Sequence, residues 1–139
     1  MRAAVAEARR RFTDVPLFAG GKSFGGRMTS QAQAEAALED VKGIVFVGFP
    51  LHPAGQPSTK RAEHLERVDV PMLFLQGTRD TLADLALIKS VVEQLTSRAT
   101  LHIEDGADHS FHVLARSGRN DVQVLEELVE TTAAWMREQ

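Results

Sequence analysis

Three residues far apart in this sequence, Ser23, Asp80 and His109, have the types, order and local settings that acyl transfer requires. Ser23 lies in Gly21-Lys22-Ser23-Phe24-Gly25, a G-x-S-x-G pattern. Such a pattern puts a serine on a sharp strand-to-helix turn, with its hydroxyl raised above the edge of a sheet. Small neighbours, here Gly21 and Gly25, let the backbone make that turn without clashing. A helix that starts just after the serine aims its positive end at an oxyanion forming there. A serine hydroxyl is a weak nucleophile, so it needs a base, and the base needs an acid to orient it. Asp80 follows an apolar run through Gly77-Thr78-Arg79, and His109 follows another through Glu104-Asp105-Gly106-Ala107-Asp108. Nucleophile, acid and base occur in this chain order when each sits on a loop after a later strand of an α/β sheet.

Other readings of the same residues compete. Gly21-Lys22-Ser23 is also the tail of a phosphate-binding loop, G-x-x-x-x-G-K-[ST], but the position that must be the first glycine holds Pro16. The next apolar run ends in Phe49-Pro50 and brings no aspartate for magnesium. Asp80 could instead cap a helix beginning near Leu82. Asp84 is a rival acid, placed within that helix and farther from the strand end. His112 is a rival base, three residues past His109 and beyond the loop tip. Asp105 and Asp108 read as loop caps or salt-bridge partners, and Lys22 and Arg27 as solvated or salt-bridged residues of the elbow and first helical turn. His52, His64 and His102 read as a loop, a helix-surface and a strand residue. His109 and His112 have metal-like spacing, but no carboxylate-histidine set completes a site, so neither a metal nor any other cofactor is expected.

The elements that must position these residues alternate along the chain. Strand signals are Val15 to Ala19, Gly43 to Phe49, Val70 to Gln76 and Thr100 to Ile103; helical signals are Met1 to Arg11, Arg27 to Leu38, Leu82 to Leu95 and Asp121 to Met136, with a further helix expected between the second and third strands. Strands that read as unbroken apolar runs are buried on both faces, which predicts an α/β fold with a parallel sheet of about four strands flanked by helices. Ligands bind along the C-terminal edge of such sheets. Pro50 to Lys60 is irregular because of its prolines and glycine. Residues 1–139 read as one domain.

Composition narrows the function classes. A formal charge of -3 argues against a nucleic-acid surface, and the longest apolar runs are too short to span a bilayer. The chain has no cysteine, hence no disulfide or thiolate chemistry, which fits a reducing, cytoplasmic setting. The Ala- and Arg-rich start superficially suggests a transit peptide, but it contains Glu7 and lacks serine, so it reads as a helix with Val5 and Ala8 facing a core.

The stretches GGKSFGGRMTSQAQA, GIVFVGFPLHPAGQP, FLQGTRD and GADHSF resemble the dienelactone-hydrolase-like branch of the α/β-hydrolase superfamily. That branch covers bacterial proteins of unassigned substrate and eukaryotic regulatory subunits of a histone-acetyltransferase complex. The resemblance implies Ser23 as nucleophile, Asp80 as orienting acid, His109 as general base and the Phe24 N–H as an oxyanion-hole donor. It also implies that PLHPAGQP overhangs the site. Family members have further strands before the elbow, including the loop with the other oxyanion donor, so the chain corresponds to the C-terminal part of such a domain. The strand at 15–19 would then be a bare sheet edge, open to pairing with another copy. The expected function is a serine hydrolase acting on a small-molecule ester, thioester or related acyl substrate. The alternatives are a non-catalytic interaction or regulatory module, and an inactive fragment.

Overall fold

The unbroken apolar runs fold into four parallel strands: β1 (Leu17–Lys22), β2 (Val41–Val47), β3 (Met72–Gly77) and β4 (Ala99–Glu104). In this computed structural model, which describes all 139 residues, they lie in the order β1-β2-β3-β4. Four α-helices flank them: α1 (Arg2–Arg11), α2 (Phe24–Glu35), α3 (Leu85–Leu95) and α4 (Asp121–Arg137). The link from β2 to β3 carries a 3₁₀ segment, Lys60–Arg67. Because every strand runs the same way, the segments that follow β1, β2, β3 and β4 all leave from one edge.

Alternation along the strands divides the core in two. Ile44, Phe46, Met72 and Phe74 point to the side packed by Leu65 of the 3₁₀ segment and by Ile88, Val91 and Leu95 of α3. Val45, Leu73 and Leu75 point the other way, to Val124, Leu128 and Trp135 of α4. Phe46 and Phe74 are register partners on β2 and β3, with ring centroids 4.6 Å apart. Phe49 closes that cluster edge-on at 5.1 Å from Phe46. Each fully buried ring of this kind stabilises the fold by about 1.5–3 kcal/mol. Gly43 is small because Trp135 fills the space above it; a Cβ there would stand 2.7 Å from the indole ring.

Several boundaries differ from the sequence reading. β1 runs from Leu17 through Lys22 rather than stopping at Ala19, because Gly20 and Gly21 belong to the strand. A Cβ on Gly20 would lie 2.4 Å from the Val45 carbonyl oxygen, so the glycine serves close strand approach and not a turn. α2 begins three residues earlier than the Ala- and Gln-rich stretch suggests, directly after Ser23. α3 begins at Leu85, and Asp84 is not inside it but is its N-cap, accepting the amides of Ala86 and Leu87 at 3.0 Å. α4 opens with a reciprocal capping pair between Asn120 and Gln123. α1 lies against the start of the sheet through Val5, which packs with Leu38 and Val41. Arg2 of α1 donates to the carbonyls of Ala32 and Ala36 at the end of α2, each at 2.6 Å. No helix is long and apolar enough to cross a membrane.

Candidate active site

Ser23 stands between β1 and α2 with φ 52° and ψ -123°, a positive φ that a residue with a Cβ rarely adopts. Such a backbone costs on the order of 1–3 kcal/mol and persists only where the surroundings enforce it. Two bonds do so: the Ser23 N–H donates to Val47 O at 3.0 Å, and Arg27 N–H donates to Ser23 O at 3.2 Å. Ser23 occupies the N-cap of α2, where a serine ordinarily turns its hydroxyl onto the helix amides. Here it makes no capping bond. Its Oγ lies 2.8 Å from His109 Nε2 instead.

The tight packing at this elbow falls on a different pair of glycines than the G-x-S-x-G pattern names. A Cβ on Gly21 would meet Gly26 N at 2.8 Å, and one on Gly26 would meet Gly21 O at 2.5 Å. A Cβ on Gly25 would meet nothing within 4 Å. Gly25 is therefore not required by contact, and Gly26, outside the pattern, is.

Asp80 follows β3 and its carboxylate is fully buried. His109 Nδ1 meets Asp80 Oδ2 at 2.7 Å, and Leu82 N–H donates to Oδ1 at 2.8 Å. The acid and histidine loops are joined along their backbones. Thr78 N–H donates to Glu104 O at 3.1 Å and Arg79 N–H to Ala107 O at 2.9 Å. Gly77 permits this approach, since a Cβ there would stand 2.3 Å from Ala107 O. The histidine loop is then turned by Asp108, whose Oδ1 accepts the amides of Ser110 at 2.8 Å and His112 at 3.0 Å. Gly48, with φ +71°, backs the His109 ring; a Cβ there would touch its Cε1 at 3.3 Å.

A carboxylate can only accept, so His109 carries its proton on Nδ1 toward Asp80 and offers the lone pair of Nε2 to the Ser23 hydroxyl. The arrangement can draw a proton from Ser23 as its oxygen attacks an electrophile. Phe24 opens α2, so its N–H belongs to the first turn, whose amides have no acceptor within the helix.

The other candidates lie elsewhere. His112 is exposed and pairs with Asp121 at the start of α4, Nδ1 to Oδ2 2.6 Å, which holds its pKa above the usual histidine range. His64 is not a surface residue but is buried, with Nε2 2.8 Å from Ser30 Oγ. Burial, then the charges of Arg27 and Arg67, pushes its pKa down to about 4. His52 is buried in the loop after β2, where Nε2 accepts the Asp84 amide at 2.8 Å and Nδ1 faces Pro53 O at 2.8 Å. It therefore ties that loop to the cap of α3. His102 lies on β4, 3.3 Å from the buried Glu104. Lys22 is an exposed strand end, and the Arg27 guanidinium lies over the Phe24 ring at 5.6 Å. Asp105 accepts from the Thr78 hydroxyl at 3.2 Å.

The profile of an alpha/beta hydrolase domain matches residues 1–137. The chain belongs to the α/β-hydrolase family. Among solved structures, this hydrolase-family chain is similar to an alpha-beta serine hydrolase homologue from Coxiella burnetii, at 22% identity and a TM-score of 0.67, covering 94% of this chain and 55% of that one. It is likewise similar to a serine hydrolase without lid from Xanthomonas campestris, at 22% identity and a TM-score of 0.66, covering 96% and 54%. An esterase domain of a Rhodothermus marinus protein matches at 16% identity and a TM-score of 0.71, covering 99% and 67%. At these identities the likeness is one of fold. The α/β-hydrolase chain described here spans about half the length of the first two proteins.

The sequence reading missed three residues at this site: Gly26, Gly48 and Gln76. Gly26 stood in view as the second half of Gly25-Gly26, but only the position of Gly21 shows which glycine is crowded. Gln76 was the one polar residue ending the run Val70 to Gln76, a signal of a buried amide with a task.

Proposed function

We propose that this chain is a serine hydrolase that cleaves an ester, thioester or similarly activated acyl bond through an acyl-enzyme. The observation that carries the reading is the continuous relay from Ser23 Oγ through His109, at 2.8 Å and 2.7 Å, to a fully buried Asp80 carboxylate. Ser23 attacks the carbonyl carbon while His109 Nε2 takes its proton, and Asp80 holds the resulting imidazolium by its Nδ1–H. The carbonyl oxygen becomes an oxyanion, which the Phe24 N–H and the positive end of α2 stabilise. His109 returns the proton to the leaving group as the tetrahedral intermediate collapses. Water, deprotonated by the same imidazole, then releases the acid and regenerates Ser23.

The likeness of four sequence stretches to dienelactone-hydrolase-like proteins supports a small acyl compound as the substrate. The test is turnover of an activated acetyl ester by the purified chain and by Ser23→Ala. Hydrolysis by the parent that is lost in the variant supports the reading. Equal rates for the two proteins would refute it, and absence of turnover in both would favour the non-catalytic interaction module.

A further inference from the structure

We propose that Gln76 is a positioning residue of the triad, a buried amide that aims the Asp80 carboxylate at His109 and fastens it to the turn behind the imidazole. Its kinetic consequences rest on the hydrolase reading above; its hydrogen bonds do not. Gln76 is the fifth residue of β3 and is 0% exposed, in a strand whose other side chains are apolar or absent. Burying an amide costs free energy unless its polar atoms are paired, so a fully buried glutamine in an otherwise apolar strand needs partners at both ends.

Both ends of the amide are paired, and the pairing fixes its orientation. Oε1 accepts the backbone N–H of Phe49 at 3.0 Å. A backbone N–H can only donate, so the oxygen end must face Phe49 and the NH₂ end must face away. There it donates to Asp80 Oδ2, the oxygen that His109 Nδ1 also meets. With Leu82 N–H on Oδ1, the carboxylate is held by three donors from three directions and has no freedom to rotate.

The other end of the same side chain reaches behind the imidazole. Phe49 follows Gly48, whose left-handed backbone places it 3.3–3.4 Å, measured from a Cβ position, from the ring atoms and carbonyl of His109. Gln76 thereby joins the acid in front of His109 to the turn that backs it. Reacting groups displaced by about 1 Å can lose on the order of a hundredfold in rate, so a device that couples two faces of the base acts on turnover.

Two variants of the full chain test this. Gln76→Met keeps the length of the side chain and removes the amide. Gln76→Glu keeps the acceptor for Phe49 but replaces the donor facing Asp80 with a carboxyl oxygen, which can donate only while protonated. Turnover of the activated acetyl ester is measured across pH, with thermal melting to show that each variant folds. Gln76→Met is expected to lower kcat about tenfold or more with KM unchanged. Gln76→Glu is expected to work near the parent rate on the acid side of the plateau, then to lose activity as the introduced carboxyl ionises against Asp80, giving an alkaline limb that the parent lacks. If Gln76→Met turns over at the parent rate, or Gln76→Glu shows no new limb, Gln76 only fills space.

Should the parent show no turnover, the hydrolase reading fails, and the low-field proton resonance of His109 Nδ1–H decides the role of Gln76. Loss or broadening of that resonance in Gln76→Met supports the proposal. An unchanged resonance overturns it.

Discussion

The carbonyl oxygen of Gly21 lies where a side chain on Gly26 would begin: a Cβ there would stand 2.5 Å away. The last residues of β1 and the first turn of α2 thus meet backbone to backbone, and Ser23 is held at the bend between them. Gly26→Ala has no room, because the obstructing atoms are main chain on one side and the Phe46 ring at 3.2 Å on the other. It should destabilise the fold by about 1–3 kcal/mol, the usual cost of overpacking, and disturb Ser23. Gly25→Ala meets open space inside a helix and should be neutral or stabilising by about 0.5–1 kcal/mol. Urea unfolding of both variants checks the pair; equal effects at the two positions would contradict it.

Asp80→Asn keeps the shape of the acid and removes its charge. Three N–H donors converge on the Asp80 carboxylate, from Gln76, Leu82 and His109. An asparagine has one acceptor oxygen, so its own NH₂ must oppose one of them or force His109 into the other tautomer. The expected loss in kcat is on the order of ten-thousandfold, as in a serine protease whose triad aspartate is made asparagine. Steady-state kinetics on an activated ester measures it, and a loss below tenfold would mean that Asp80 does not orient the base.

His64 makes stability depend on pH. Its pKa is about 4 in the folded chain and near 6.5 when exposed, so the unfolded state binds more protons between those values. The neutral, buried His64 contributes fully above about pH 6.5, and that contribution is lost progressively as pH falls toward 4, by up to about 3 kcal/mol. His64→Gln can still bond Ser30 but cannot titrate. Its stability should fall less than the parent's between pH 7.5 and pH 4.5 in denaturant titrations; parallel curves would contradict the assignment.

His112 acts in the opposite sense. Its bond to Asp121 raises its pKa, so whatever it adds is present below the unfolded value and is lost as pH rises through the raised one. The pair joins the histidine loop to the start of α4. His112→Gln should therefore cost more stability at pH 5 than at pH 8. An equal loss at both pH values would point to packing instead of charge.

The fold was legible because its signals are local and repeated. Apolar runs such as Gly43 to Phe49 are too rich in β-branched and aromatic residues for a surface segment, and the helical stretches between them leave a parallel sheet as the economical arrangement. Ser23, Asp80 and His109 could be singled out because each follows an apolar run, and the ends of parallel strands share an edge. What could not be read depends on neighbours distant in sequence. His64 read as a helix-surface residue, since nothing local shows that Ser30 comes to meet it. The strand seemed to stop before Gly20 and Gly21 because a glycine pair breaks a strand unless another backbone needs the space; Val45 needs it at Gly20 and Gly26 at Gly21. Asp84 looked helical because the run from Leu82 begins before the helix; only the amides it accepts reveal it as a cap.

A serine hydrolase of this kind needs an activated hydroxyl at Ser23. Labelling the purified chain with a fluorophosphonate and reading its intact mass tests this directly, with Ser23→Ala as the control. The parent chain should gain the mass of a single probe and the variant none. No gain on the parent, or the same gain on both, would contradict an activated Ser23.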